Sequence, residues 1–187
     1  MTGSIVPSKK LMSRLTLVIG GARSGKSRFA EGLALATQRP RRYIATAQAW
    51  DTEMRNRIAL HKDQRGDNWI TVEAPLDVAG ALEDAQENEV VLLDCATLWL
   101  SNHLLGEADL KVQTAVLLAA IAACLAPVIV VSNEVGWSIV PDNALARSFR
   151  DAQGRLNQDM AAQADLVVAV MAGLPMVLKG NLSDAPT

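Results

Sequence analysis

The run Gly20-Gly21-Ala22-Arg23-Ser24-Gly25-Lys26-Ser27 fits the pattern G-x-x-x-x-G-K-[ST]. Its glycines let the backbone turn tightly, so successive N–H groups point into one concavity. A helix starting at its end adds a positive dipole terminus. Lys26 is placed to reach the β- and γ-phosphates of a purine nucleoside triphosphate, and the Ser27 hydroxyl to sit on Mg²⁺. With glycine near 7% of residues, a chance match in a chain of this length is on the order of one in a hundred or less.

The partner of such a loop is a carboxylate at the end of another strand. Val90-Val91-Leu92-Leu93-Asp94 supplies one, and Asp94 is the expected second Mg²⁺ residue. Ser132-Asn133-Glu134 ends a further apolar run and should open on the same crevice.

Two histidines occur, His61 and His103. On a helix, Arg57, His61 and Arg65 stand at i, i+4 and i+8 on one face, with Lys62 adjacent. A neutral imidazole among cations suits attack on phosphorus; the alternative is a solvated basic face paired with Glu53 and Asp63. His103 reads as structural.

These groups require a frame. Strands are expected at Leu15–Ile19, Arg42–Ala45, Trp69–Val72, Val90–Leu93, Val128–Val131 and Leu166–Val170. Helices are expected at 26–37, Thr52–Gln64, Leu76–Gln86, Val112–Leu125 and Ala144–Ala164. Ala172–Pro175 reads as the turn of a hairpin completed by Met176–Lys179. Most strands are apolar throughout, as buried parallel strands are. The alternation predicts an α/β, three-layer, RecA-like P-loop fold, its sheet mostly parallel with an antiparallel C-terminal edge hairpin. Ligands then bind at the carboxyl ends of the strands. One domain is expected over 15–180, between a flexible leader (1–14) and a flexible tail (181–187).

Composition narrows the class. Lys plus Arg number 18 against 20 Asp plus Glu, which lacks the basic excess of a nucleic-acid binder. Two cysteines, Cys95 and Cys124, build no disulfide framework, which fits a reducing cytoplasm. The apolar stretch from Ala115 to Val131 is broken by Pro127 and reads as a buried helix feeding a buried strand, not a membrane span. Trp50, Trp69, Trp99 and Trp137 read as packing residues.

Several ordered motifs resemble one enzyme family. The phosphate loop is followed by Tyr43–Gln48 (YIATAQ), then His61-Lys62-Asp63-Gln64-Arg65, Trp69 and Glu73. Leu92-Leu93-Asp94-Cys95 with Thr97-Leu98-Trp99 continues the series. Asn133-Glu134-Val135-Gly136, Ile139-Val140-Pro141, Arg147–Asp151 and Gly154–Gln158 complete it. Over about residues 15–180 the chain resembles the bifunctional adenosylcobinamide kinase / adenosylcobinamide-phosphate guanylyltransferase family.

The resemblance implies two reactions in adenosylcobalamin assembly. ATP or GTP phosphorylates the adenosylcobinamide hydroxyl. GMP is then transferred from GTP to that phosphate through a guanylyl-histidine, for which His61 stands in position. It also implies nucleotide contacts from Thr46, Ala47, Gln48, Lys62, Asp63, Gln64, Arg65, Glu73 and Asp94, with Glu134, Arg147, Arg150 and Asn157 as further site residues. Trp50 is the candidate to border the corrinoid, and a homo-oligomer is implied. Two positions depart from the family pattern. Gly66 replaces a frequent proline and is expected to loosen the loop after the histidine; Ser138 replaces a usual glycine and is expected to crowd its turn. A kinase of another small alcohol and a nucleotide-gated binding module are the competing readings.

Overall fold

The computed structural model describes residues 13–48 and 68–184. The apolar runs form seven strands: β1 Leu15–Gly20, β2 Arg41–Ala45, β3 Trp69–Glu73, β4 Val90–Asp94, β5 Val128–Asn133, β6 Leu166–Met171 and β7 Leu174–Lys179. They make one sheet in the order β3-β2-β4-β5-β1-β6-β7. All pairings are parallel except β6–β7.

Helices cover both faces: α1 Lys26–Ala36, α2 Val78–Glu83, α3 Ala96–Leu105, α4 Leu110–Ala123 and α5 Ala144–Gln163, followed by a 3₁₀ turn Leu182–Asp184. Side chains alternate along a strand, so each strand feeds two cores. Val18, Leu92, Ile129, Val131 and Val168 pack under α1 with Ala30 and Ala34. Leu17, Leu93, Val130 and Val167 pack under the other helices with Leu117, Leu156 and Met160. That double burial is why the strands are apolar throughout. Strand β5 lies between the phosphate-loop strand β1 and the Asp94 strand β4, the RecA-like arrangement expected.

Some boundaries move. Helix α3 occupies a stretch to which the sequence assigns no element. It follows a strand directly, its N-cap Cys95 makes no side-chain cap bond, and it buries Ala96, Thr97, Trp99, Leu100 and His103, so neither a cap nor a polar stripe marks it. Helix α2 is shorter than Leu76–Gln86 because the Asp77 carboxylate caps it, accepting from Gly80 N–H at 2.9 Å. The hairpin turn is only Ala172-Gly173, both at positive φ (50° and 79°). Pro175 lies within β7, which an edge strand tolerates. Residue 14 is anchored, since Arg14 N–H donates to Asp165 Oδ2 at 2.8 Å.

The apolar 115–131 stretch becomes most of α4 and the start of β5. Among the described residues no helix is long and apolar enough to cross a membrane. Trp99 and His103 are buried against each other, ring centroids 4.7 Å apart, and both nitrogens meet the Leu76 carbonyl. Trp69 packs edge-on to Tyr43. Trp137 is not a packing residue: it is 76% exposed on the loop after β5. Trp50 and the 52–64 helix lie outside the described residues.

Candidate active site

The phosphate loop turns off β1 at the middle of the sheet. Arg23 (φ 57°) and Gly25 (φ 94°) take left-handed conformations, and Gly25 is the N-cap of α1. A Cβ at Gly25 would stand 3.2 Å from Gly173 Cα, and one at Gly20 would stand 2.6 Å from Ser24 Oγ. The loop is braced from outside by the β6–β7 turn, where Gly173 N–H donates to Ser24 O at 2.8 Å. The motif alone gives no sign of that brace.

Lys26 begins α1, and its Nζ donates to Gly21 O at 3.2 Å. Burial lowers its pKa below the ordinary lysine value; negative charge on Cys95 and Asp94 opposes the shift. Burial, with help from Asp94, pushes the Cys95 thiol itself up to about 12. Cys95 is therefore a neutral thiol at neutral pH, and Asp94 is the anion that Lys26 faces. Ser24 Oγ is buried without a hydrogen-bond partner among the described residues. An orphaned hydroxyl beside a left-handed glycine-rich turn and a desolvated ammonium can receive the oxygens of an anion.

Asp94 ends β4, level with Ala45 of β2 and Val131 of β5, and the Tyr43 hydroxyl donates to its Oδ2 at 3.3 Å. Thr46 is fully buried. Its hydroxyl donates to Cys95 O at 2.7 Å and accepts from Cys95 N–H at 2.8 Å, tying the tips of β2 and β4 together. Asn102 Nδ2 holds the Thr46 carbonyl at 2.9 Å. The Thr46 side chain is thus committed to the scaffold, while Ala47 and Gln48, half-buried, follow it. Glu73 is exposed at the tip of β3. Four strand spacings separate β3 from β1, about 19 Å, so Glu73 stands well to the side of the strand that carries the loop. The segment His61, Lys62, Asp63, Gln64 and Arg65, and Gly66, lie outside the described residues.

Of the further site residues, Arg147 donates through Nη1 to Pro141 O and Asp142 O (2.9 and 2.6 Å), and Arg150 Nε lies 3.8 Å from Asp151. Both serve the loop and helix around them. Ser138 is absent from the positive-φ residues; it is exposed, and its hydroxyl donates to Val135 O at 3.3 Å, so the expected crowding does not arise. Asn157 belongs to a buried network. Gln153 Nε2 donates to Ser132 Oγ (2.9 Å) and Asn157 Oδ1 (3.0 Å), and Ser132 Oγ donates to Asn157 Oδ1 (2.6 Å). Asn157 Nδ2 donates to Asn133 O (3.0 Å), and Asn133 N–H to Thr97 Oγ1 (2.7 Å). The tip of β5, beside Gly20 in register, is held from α3 and α5 together. Sequence reasoning missed Gln153 and Thr97; the signal was two amides, Gln153 and Asn157, at i and i+4 on a helix face that is otherwise apolar.

The chain matches, over residues 16–178, the family described as cobinamide kinase / cobinamide phosphate guanyltransferase. It is 44% identical over 168 residues to the bifunctional adenosylcobalamin biosynthesis protein CobP of Pseudomonas aeruginosa, covering 88% of this chain and 97% of that protein. With the bifunctional adenosylcobalamin biosynthesis protein CobU of Escherichia coli it shares 41% over 181 residues, covering 88% and 99%. A solved structure from Pyrococcus horikoshii OT3 superposes with a TM-score of 0.52 at 7% identity, over 95% of this chain and 92% of that one. That is a likeness of fold.

Proposed function

The chain belongs to the cobinamide kinase / cobinamide phosphate guanyltransferase family, and from that premise we propose that it phosphorylates adenosylcobinamide and then transfers GMP to the product. The observation that carries the reading is the phosphate loop, with Lys26 desolvated opposite Asp94 and Ser24 Oγ without a hydrogen-bond partner among the described residues, inside a chain that matches this family almost end to end.

In the first reaction the acceptor oxygen bonds to the γ-phosphorus of ATP or GTP, and the bond to the β–γ bridging oxygen breaks. Lys26 and the loop amides hold the charge that develops on the phosphates. Ser27 and Asp94 are the residues that would hold Mg²⁺, a small ion that takes one or two protein oxygens and completes its shell with phosphates and water. Bound there, Mg²⁺ would neutralise phosphate charge.

In the second reaction the electrophile is the α-phosphorus. A neutral His61 attacks it and pyrophosphate leaves. An oxygen of adenosylcobinamide phosphate then displaces the imidazole, giving adenosylcobinamide-GDP and free His61. Splitting the transfer in two is what a protein nucleophile contributes; Arg57, Lys62 and Arg65 nearby in sequence supply cations for the phosphates. Glu73, Ala47 and Gln48, displaced from the loop along the strand tips, are assigned to the rest of the guanine nucleotide. We place the enzyme in the cytoplasm, and the exposed apolar residues Leu174 and Met176 of edge strand β7 support a homo-oligomer.

The test is GTP labelled at the α-phosphate. After denaturation the chain should retain label that is acid-labile and alkali-stable, and His61→Ala should retain none. A folded protein that binds GTP yet never acquires label would remove the guanylyl-histidine and leave a kinase.

A further inference from the structure

The face of the sheet away from α1 carries a groove of about 480 Å³. Leu17, Ile19 and Val167 floor it, α5 forms one wall, and the end of β7 the other. On α5 the wall is Gly154, Asn157, Gln158 and Ala161, at i, i+3, i+4 and i+7 on one helix face. The seven steps from Gly154 to Ala161 span about 10 Å. Helix α5 ends where β6 begins, so Ala161 marks the end of the groove at the strand starts and Gly154 the end at the strand tips. Glu134 lines the groove at the tips, and its N–H donates to Gly20 O at 3.1 Å. The groove therefore opens beside the phosphate loop.

Gly154 has no local reason to be glycine. It sits within a 20-residue helix, where glycine costs about 1 kcal/mol relative to alanine. It is not among the positive-φ glycines, and an added Cβ would meet nothing within 4 Å. Gly32 in α1 is equally uncrowded but faces solvent; Gly154 lines the groove. What the missing side chain leaves is space for a ligand.

The charges say which ligand. Glu134 and Lys179 are the charged residues lining the groove. Lys179 Nζ is bound to Ala161 O and Ala162 O at 2.9 and 3.0 Å, at the end away from the loop. The mouth thus offers a carboxylate: Glu134 Oε1 accepts from Gly136 N–H at 2.6 Å, which orients it, and the group repels nucleotide phosphates and can accept a further hydrogen bond from a hydroxyl. Behind it lies an apolar floor.

We infer that the groove between α5 and β7 is the acceptor site, taking the alcohol-bearing arm of the corrinoid with its hydroxyl at Glu134, facing the phosphate loop. The inference rests on the function proposed above and adds where its acceptor binds. A volume of about 480 Å³ is that of a small-molecule pocket, enough for the arm and a ring edge, so the rest of the corrinoid lies outside.

The experiment is steady-state kinetics of adenosylcobinamide phosphorylation by Gly154→Phe, with nucleotide affinity measured separately by calorimetry. The KM for adenosylcobinamide should rise about tenfold or more, equivalent to about 1.4 kcal/mol, while the nucleotide Kd stays within about a factor of two. Gly154→Ala should change KM far less than Gly154→Phe. Should Gly154→Phe fail to fold, Gln158→Trp, at an exposed position on the same wall, decides by the same split. An unchanged KM in the folded variant, or a weakened nucleotide with KM constant, overturns the inference. If the unaltered protein binds nucleotide but never phosphorylates adenosylcobinamide, the functional reading itself is wrong, and the groove loses its occupant with it.

Discussion

The two ends of the sheet differ in how they treat their polar groups. At the strand starts, carboxylates are matched with donors, although Thr16 Oγ1 and Arg41 Nε have no hydrogen-bond partner among the described residues. Arg42 Nε meets Glu89 Oε2 at 2.9 Å, Gln86 N–H donates to the same oxygen at 3.0 Å, and Arg39 Nη1 meets the Glu87 carbonyl. The Asp165 carboxylate takes the N–H groups of both Arg14 and Leu15. At the strand tips, Ser24 Oγ is buried without a partner among the described residues, Lys26 is desolvated, and Arg23 and Gly25 hold left-handed dihedrals. Satisfied polar groups stabilise the fold; an orphaned hydroxyl grouped with a desolvated ammonium on a glycine-rich loop marks where a ligand completes the structure. Substitutions at the two ends should therefore separate stability from activity.

The largest effect belongs to Lys26→Ala. Removing the ammonium that meets the transferred phosphoryl should lower kcat/KM of the kinase reaction by about 10³-fold or more, roughly 4 kcal/mol of transition-state stabilisation. The melting temperature should stay or rise, because a desolvated cation has gone. Kinetics and calorimetry on one preparation check both. A variant that loses stability in proportion to activity would erase the distinction between the ends.

Glu89→Gln should do the reverse. Glu89 is 4% exposed. Burial by itself would raise its pKa, but the Arg42 guanidinium and the Gln86 N–H together hold it below the ordinary 4.5. The variant leaves Arg42 without its anion, so it should lose about 3 kcal/mol in denaturant unfolding. Both activities should persist below the midpoint. A folded pKa lower than the unfolded one means the contribution is full above pH 4.5 and fades as pH falls through the folded value. The stability difference between native and variant protein should shrink over that interval and not on the alkaline side.

This contrast also explains what the sequence made legible. The phosphate loop could be read because its chemistry needs a contiguous backbone shape, and the strands because burial on both faces leaves no polar positions. Asp94 followed from its place at the end of such a strand. The Gly173 brace and the Gln153–Ser132–Asn157 network join residues far apart in the chain, and pairing across α5, β5 and α3 leaves no local pattern. Helix α3 was hidden for a related reason: an element buried on most sides has no amphipathic period to reveal it. The exposure of Trp137 has no local signal either, because aromatic residues usually pack and exposure is a property of the surrounding fold.

A smaller effect probes that network, where the strand tips borrow the manner of the strand starts. Gln153 has an amide oxygen with no partner among the described residues, so its two donated bonds come with one buried, unpaired acceptor. In Gln153→Met, Ser132 Oγ still donates to Asn157 Oδ1 and Asn157 still holds Asn133 O. The net cost should be only about 1 kcal/mol, measured by urea unfolding. A loss several times larger would mean that Gln153 Oε1 has a bound partner such as a buried water, and that this part of the site is as fully satisfied as the Glu89 corner.

The smallest expected signal comes from the cysteines. Cys95 touches the site yet should be silent. With its pKa at about 12, roughly one thiol in ten thousand is ionised at pH 8, and the thiolate is the reactive form. Burial raises Cys124 in the same direction. Native protein at pH 8 should therefore take up almost no thiol reagent over the time in which denatured protein reacts at both of its cysteines. Lys26→Ala should not wake Cys95, because removing a nearby cation withdraws one of the influences that lower the thiol's pKa. Bound nucleotide should suppress it further, since phosphates add negative charge beside it. Rapid modification of Cys95 in the native protein would show that the strand tips open to solvent, so that Lys26 is not desolvated there and the difference between the two ends is one of exposure alone.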